Sequence, residues 1–372
     1  ERPDACQPHG PASHPRPKGS MDPHTPPPDP SRIQTPDPAC AAAPPAPRFA
    51  RARHFLRRLA GIRRPDLLVA RRIGRLLPDR QYLALGHLFY FGRWPNYTHP
   101  RSLNEHIHAY MLRCRSPLLH IAADKLATRE HVARVLGEQY LVPLIGAWDS
   151  ADTVPLKTLP RPCVVKTTVG SGQVWFLKPG VYTDLCELRQ HLRRWLATDF
   201  SSLSREWCYR GLPNRVIAEE MLVGEAGAQG AEQAEGALPA DYKFYVIGGA
   251  VRFIQVDRGR FAAHTRNLYD TGWRLLEERL TLENHPADPR PPRLQEMIDL
   301  TQRLAEPFEF LRVDWYVVGE RIYIGELTNY PGAGFERFIP PSYALELGSH
   351  WRVPAEVAEV AEAANAPASA EA

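Results

Sequence analysis

Between Arg312 and Gly334 the chain reads RVDWYVVGERIYIGELTNYPGAG, two apolar runs parted by a Gly-Glu turn. Runs of Val, Ile, Trp and Tyr this close together predict a β-hairpin. A second such pair, DYKFYVIGGAVRFIQVDR, turns at Gly248-Gly249. Helical patterns beside antiparallel hairpins make this an α+β chain rather than a doubly wound one. The first hairpin also poses an electrostatic problem, because each of its strands carries one acid, Asp314 and Glu326. With Gly319-Glu320-Arg321 as the loop, the two acids lie directly opposite each other on one face. Opposed like charges destabilise a strand pair. Either a positive group sits between them or one of them takes a proton.

The remaining bounds are broad. At 372 residues the chain can build one large domain or two ordinary ones. No apolar run approaches the ~18 to 20 residues that cross a bilayer, and no signal peptide opens the chain. The reading is a cytoplasmic protein. Six cysteines (Cys6, Cys40, Cys114, Cys163, Cys186, Cys208) form no Cys-x-x-Cys pair, which argues against a zinc ribbon or a disulfide scaffold. A net charge of +4 is too small to point to nucleic acid. Of 46 basic residues only Lys18, Lys125, Lys157, Lys166, Lys178 and Lys243 are lysines. In so Arg-rich a chain, a lysine is a candidate for a role that needs a compact ammonium.

Residues 1–47 hold fifteen of the 37 prolines and no Phe, Tyr, Trp, Leu or Val, and read as disordered. From Arg48 to Arg75 ten Arg face a single acid, Asp66. Two readings stand: helices packed on the main domain with a solvated basic face, which is preferred, or a helix lying on the inner membrane face or on a polyanion. The stretch to about Gly137 reads helical. CVVK and QVWFLK flank TTVGSG as a hairpin with a small-residue tip, and TDLCELRQHLRRWLA is a helix capped by Thr183. RVIAEEML is a buried strand, GEAGAQGAEQAEGALP a loop, and PPRLQEMIDLTQRLA a helix with Pro at its start. The tail after Pro354 reads as frayed.

In VVKTTVGSGQVWFLK, glycine-freed backbone N–H groups flanked by Lys166 and Lys178 suit phosphate oxygens, although an ordinary turn with two exposed lysines has the same pattern. Magnesium, which takes one or two carboxylates plus phosphates, would relieve the Asp314–Glu326 opposition. An ion pair with Arg312, which shares a strand face with Asp314, is the structural alternative. The fourteen His show no metal spacing; His106 and His108 face apart on a helix and read as surface or packing residues. Trp148, Trp175, Trp195, Trp207 and Trp273 read as core.

Seven segments in order carry a resemblance: RSLNEHIHAY, DKLATREHVARVLGEQYLVPLIGAWDS, LPRPCVVKTTVGSG, RVIAEEML, DYKFYVIGGAVRFIQVDR, LRVDWY and GELTNYPGAGFERF. Together, from about Phe91 to Trp351, they resemble the TupA-like ATP-grasp family, linked to cell-surface polymer synthesis. The resemblance implies an ATP-grasp fold over 121–353, with a nucleotide-clasping part at about 140–222, a metal and catalytic part at about 240–350, and a helical region over 48–120 before it. It implies that Lys125 and Lys166 contact ATP phosphates, with Lys178 nearby and Gly170, Ser171 and Gly172 as the lid loop. Glu219 and Leu222 would meet adenine through the backbone. Asp241 and Lys243 resemble an Asp-x-Arg element whose basic residue steadies phosphates. Arg258 and Arg312 would stabilise the transferring phosphoryl group, and Asp314 and Glu326 would hold Mg2+.

The sequence departs from the family at two places, and with the family from the commoner ATP-grasp pattern at a third. Thr168-Val169 stands where Asn-His is usual, and His106 where Lys is usual. Thr328 takes the Asn place of the commoner Glu-x-Asn, with Asn329 one residue on and so facing the other way. The implied activity is an ATP- and Mg2+-dependent carboxylate–amine ligase that works through an acyl phosphate on a cell-surface polysaccharide or peptide precursor. A phosphotransferase or glycosyl-transfer role and a non-catalytic nucleotide-binding module are the rivals. Nucleic acid is not an expected partner.

Overall fold

The computed structural model describes residues 77–224, 238–258 and 264–352. The Pro-rich segment, the basic segment 48–76, most of the low-complexity insert and the tail after Pro354 lie outside the described residues. No described helix is long and apolar enough to cross a membrane.

Four helices come first: α1 (Asp79–Phe91), α2 (Leu103–Arg113), α3 (Leu118–Ala123) and α4 (Lys125–Val135). Local chemistry sets their starts. Ser102 and Glu105 form a capping box at α2, with Glu105 buried and accepting from the Arg101 and Ser102 backbone N–H groups. The Asp124 carboxylate caps α4 through Leu126 N at 2.7 Å and Ala127 N at 3.2 Å.

A four-stranded sheet follows, in the order β1 (Leu144–Trp148), β4 (Val216–Glu220), β2 (Cys163–Thr167), β3 (Val174–Leu177). Its core joins Val165, Leu177, Val216 and Ala218 to Leu188 and Leu192 of α5 (Leu185–Leu196). The cap of α5 is Asp184 rather than Thr183: its carboxylate takes Cys186 N at 2.9 Å and Glu187 N at 3.1 Å. Short α6 (Phe200–Ser204) and a 3-10 turn, Trp207–Tyr209, lead into β4.

The second sheet is antiparallel throughout, in the order β10 (Arg321–Thr328), β9 (Phe310–Val318), β5 (Asp241–Ile247), β6 (Ala250–Arg258), β7 (Thr265–Tyr269). Gly248 and Gly249, at φ 61° and 80°, make the two-residue turn between β5 and β6 that mirror-image turns demand. One face of β5 (Tyr242, Phe244, Val246) packs on α7 (Leu294–Ala305), where Trp315 Nε1 donates to Thr301 Oγ1 at 2.8 Å. The helix begins after the two prolines, with Arg293 in the left-handed region as its cap, so no proline occupies its first turn. Short strands β8 (Arg279–Leu280) and β11 (Phe338–Ile339) pair with each other, and α8 (Pro341–Ser349) closes the described part.

The α+β expectation holds. The five tryptophans read as core sit half-buried at the margins of the clusters; the fully buried one is Trp315. His108 is buried, 3.1 Å from the Ala333 carbonyl oxygen, and His106 stacks on Trp351 at 5.2 Å, so both are packing residues.

Candidate active site

Alternation along the strands of the second sheet divides its faces. On the face away from α7 the register sets Glu326 opposite Asp314, Asp314 opposite Lys243, and Lys243 opposite Gln255. One rung along, Asp241 faces Asp257, and Asp257 faces Arg266. Apart from Glu326 at its edge, these side chains are nine-tenths buried, so polar and charged groups of both signs run across the sheet.

The facing of Asp314 and Glu326 comes about by an unexpected route. Val318 pairs with Arg321, so the hairpin loop is the two residues Gly319-Glu320, and with that parity alone Asp314 would face Gly325. A β-bulge between Ile324 and Glu326 shifts the register by one and restores the acid pair. Gly325 suits the bulge because a Cβ there would fall 2.6 Å from the Tyr316 ring.

The positive charge that this pairing requires is supplied by side chains. Arg312 donates to both oxygens of Asp314, Nε to Oδ1 at 2.7 Å and Nη2 to Oδ2 at 2.8 Å. The same Nη2 lies 3.8 Å from Glu326 Oε2. Lys243 Nζ bridges Asp314 Oδ2 and Asp241 Oδ2, each at 2.5 Å. Burial pushes the Asp314 carboxyl upward, but Arg312 and Lys243 outweigh it and hold it below the usual carboxylate range. Burial disfavours the Arg312 charge, yet Asp314 above all keeps its affinity for the proton well above normal. Asp257 is likewise held low: burial raises it, and His264 and Arg266 overcome that.

This arrangement bears on magnesium. Both Asp314 oxygens are engaged, and no three His, Cys, Asp or Glu gather at ligand spacing among the described residues. Glu326, about one-third exposed, faces open space. The residues do not fit a metal held by the protein alone. In this structure Arg312 and Lys243 balance the acid pair, as the ion-pair alternative has it.

Beside Glu326 lies a cleft walled by Lys125 and Arg129 of α4, Lys166 of β2, Glu219 of β4, Tyr209 and Glu326. The start of α4 is fastened to the glycine-rich loop: Asp124 bridges Val169, and Lys125 N donates to Thr168 O at 3.0 Å. The Lys125 ammonium then reaches the carbonyls of Thr168 at 3.4 Å and Gly170 at 2.8 Å. Burial lowers its proton affinity, Glu326 opposes that, and Lys166 adds to it. Lys166 Nζ binds Glu219 Oε2 at 2.5 Å, while Arg129 Nη1 binds Oε1 at 3.0 Å.

The loop itself is anchored through the residues that depart from the family pattern. Thr168, fully buried, accepts from Arg215 N at 3.0 Å, and Val169 N donates to Asn214 Oδ1 at 3.2 Å. Gly170 and Gly172 have φ of 87° and 73°, and Ser171 and Gly172 are exposed. A Cβ on Gly170 would lie 2.1 Å from the Phe200 ring.

The structure therefore brings together Lys125, Lys166, Glu219 and Glu326 at the cleft, with the Gly170–Gly172 loop tied to it through the Gly170 carbonyl on Lys125, and Asp241, Lys243, Arg312 and Asp314 on the adjoining sheet face. Three expected residues fall elsewhere. Lys178 is exposed beyond Leu177, which pairs with Cys163 at the end of the hairpin remote from the loop. Leu222 lies past the end of β4 and is not on the cleft wall. Arg258 alternates onto the α7 side, where its Nε bonds Asp288, a buried carboxylate that also takes Tyr269 OH at 2.9 Å. Sequence reasoning missed Arg129, Tyr209, Asp257 and Arg266. Arg129 had a signal, since it lies four residues after Lys125 on one helix. The Asp257–Arg266 pair spans 259–263 and had none.

Among curated proteins none matches the chain. Among solved structures it is similar to an ATP-grasp ligase, PsnB, complexed with a minimal precursor, at 12% identity and TM-score 0.32, covering 57% of this chain and 53% of that one. It is also similar to an L-amino acid ligase from Bacillus licheniformis, at 12% identity and TM-score 0.38, covering 70% of this chain and 57% of that one. A D-alanine–D-alanine ligase from Bacillus anthracis matches at 15% identity and TM-score 0.37, covering 67% and 72%. The chain thus spans little more than half the length of the first two. The family model described as TupA-like ATPgrasp matches residues 105–352, which take in every residue of the cleft and of the charged sheet face, and the chain belongs to that family.

Proposed function

We propose that this protein is an ATP-dependent carboxylate–amine ligase that builds a precursor of a cell-surface polysaccharide or peptide polymer. The observation that carries the reading is the convergence of Lys125 and Lys166, from separate elements, on one cleft beneath a glycine-rich loop and opposite Glu326. Phosphoryl transfer asks for little covalent chemistry from a protein. It asks for cations placed where charge develops.

Within this reading Lys125 and Lys166 bind phosphate oxygens, and the Gly170–Gly172 loop closes over them. The Glu219 backbone borders the adenine. Arg312, held rigidly by Asp314, presents its guanidinium toward Glu326 and steadies the transferring phosphoryl group. The carboxylate substrate attacks that group and becomes an acyl phosphate; the amine then displaces phosphate to leave an amide. Magnesium accompanies the nucleotide's phosphates, with Glu326 as the carboxylate open to it.

Incubation with ATP, magnesium and panels of acids and amines, with hydroxylamine as a general acceptor, should release ADP and phosphate along with an amide or hydroxamate. ADP binding without any such product across the panels would refute the ligase reading. A sugar phosphate or glycoside product would favour the phosphotransferase or glycosyl-transfer role. The engagement of both Asp314 oxygens favours a second reading, a nucleotide-binding module without turnover. In that case Asp314→Asn leaves cellular function intact, whereas a ligase loses turnover.

A further inference from the structure

Arg129 has no place in the site described so far, yet it stands in the cleft wall. It follows Lys125 by four residues, so both side chains leave the same face of α4. Its guanidinium is 17% exposed, and only one of its nitrogens is engaged: Nη1 donates to Val142 O at 2.7 Å and to Glu219 Oε1 at 3.0 Å. Nε and Nη2 have no partner among the described residues. The other Glu219 oxygen holds Lys166 Nζ at 2.5 Å. One carboxylate thus keeps two cations from two elements side by side. A third cation, Lys125, has only backbone carbonyls as hydrogen-bond partners among the described residues. A polyanion with several oxygens matches three converging cations better than the two carboxylates of the wall, Glu219 and Glu326.

We propose that Arg129 is the third cation of a polyphosphate site, and that Glu219 is a resident stand-in that holds Arg129 and Lys166 in place until phosphate oxygens displace it. The ligand class is a run of linked phosphates, as in a nucleoside di- or triphosphate. The inference deepens the nucleotide reading above and rests on it for the identity of the base, but not for the anion. A purely structural Arg129, stapling Val142 to β4, would influence every ligand of the cleft alike.

The test is calorimetric titration of the full chain with adenosine, ADP and inorganic tripolyphosphate. Arg129→Met should weaken tripolyphosphate and ADP roughly 10- to 100-fold, the loss of a charge-assisted pair of bonds, and leave adenosine within about twofold. Arg129→Lys should recover most of the anion affinity. Glu219→Gln, which removes the stand-in, should tighten tripolyphosphate several-fold and serves if Arg129→Met does not fold. Equal weakening of adenosine and ADP, unchanged tripolyphosphate affinity in Arg129→Met, or weaker tripolyphosphate binding in Glu219→Gln would each overturn the proposal. Wild-type protein that binds tripolyphosphate but neither adenosine nor ADP would sink the nucleotide reading and leave the anion site standing. Wild-type protein that binds none of the three would sink both.

Discussion

Replacing Lys243 by Met tests the charge logic of the sheet face most directly. The side chain is 2% exposed, and its ammonium lies 2.5 Å from both Asp241 and Asp314, which are themselves 7% and 4% exposed. Methionine conserves much of the volume, so packing changes little, but two buried carboxylates on neighbouring strands lose their shared cation. Breaking a buried ion pair from one side costs about 3 to 5 kcal/mol, because the partner charge stays behind unpaired. Arg312 still holds Asp314 through two bonds, which places the expected loss toward the lower end. For a domain of this size each kcal/mol lowers Tm by about 2 to 4 °C, so a loss of about 3 kcal/mol should make the variant melt roughly 6 to 12 °C earlier at pH 7. Acid supplies a signature that a packing defect lacks. Without Lys243 the folded state gains from protonating a carboxyl left without its cation, so the penalty present at neutral pH fades on acidification. Differential scanning calorimetry of wild type and variant between pH 4.5 and 8 reads both effects, and the double variant Lys243→Met with Asp314→Asn should regain part of the loss. A variant within about 1 kcal/mol of wild type, or a deficit that stays constant on acidification, would show that the lysine does not carry this load.

Three further outcomes follow from groups away from that row. Burial holds His87 down to about 4 and His108 to about 3, so the unfolded chain takes protons that the fold refuses. Stability should then be lost as pH falls from 6.5 toward those values, at up to about 2.7 kcal/mol per pH unit for the two together, and urea titrations of His108→Gln should show a shallower acid limb. Burial, with Glu326 adding, raises Glu206 to about 7. Its charged form penalises the fold above that pH and not below the normal glutamate range, so Glu206→Gln should gain roughly 1 to 3 kcal/mol at pH 8 and nothing near pH 4.5 by the same titrations. Gly170→Ala meets both a positive φ and the Phe200 ring; it should lose about 1 to 3 kcal/mol in thermal melts and weaken ADP, and Phe200→Ala in the same chain should restore part of each.

What could be read from sequence was what depends on near neighbours. Alternation put Arg312 and Asp314 on one face, two glycines fixed the β5–β6 turn, and the oppositely spaced acids of the last hairpin were legible as a problem in need of a cation. Which cation was less legible. Lys243 is 71 residues from Asp314 and reaches it because β5 and β9 are neighbours, an adjacency no local pattern encodes. The bulge at Gly325 shows the same limit from the other side: the acid pairing was anticipated through a loop of the wrong length, and an inserted residue restored the parity. Arg258 was misplaced because its position at the end of β6 allows either face until its partner, Asp288, is known. Capping went astray by a single residue, Thr183 for Asp184, since two good acceptors in a row leave the choice to how the chain enters the helix.

The charges divide by depth, and the division says how the site can work. Asp241, Lys243 and Asp314 are almost sealed, and their bonds are mutual; exchanging a partner there would expose a bare charge in a poorly solvated place. Lys166 and Arg129, each 17% exposed, share the Glu219 carboxylate, 9% exposed, in the cleft wall. An incoming anion therefore meets a soft rim over a hard floor. It can displace Glu219 only if the freed carboxylate, itself 9% exposed, turns toward water, while each cation trades one charge-assisted bond for another. It cannot easily unseat the floor, which keeps Arg312 aimed beside Glu326 whatever occupies the cleft. Affinity in such a site comes from the surplus of three cations, Lys125, Arg129 and Lys166, over the two carboxylates of the wall, Glu219 and Glu326, not from new charge brought in by closure. That surplus rests on Lys125, whose ammonium has only carbonyl oxygens for hydrogen-bond partners among the described residues. Neutralising it should weaken polyphosphate more than neutralising either cation that Glu219 already satisfies.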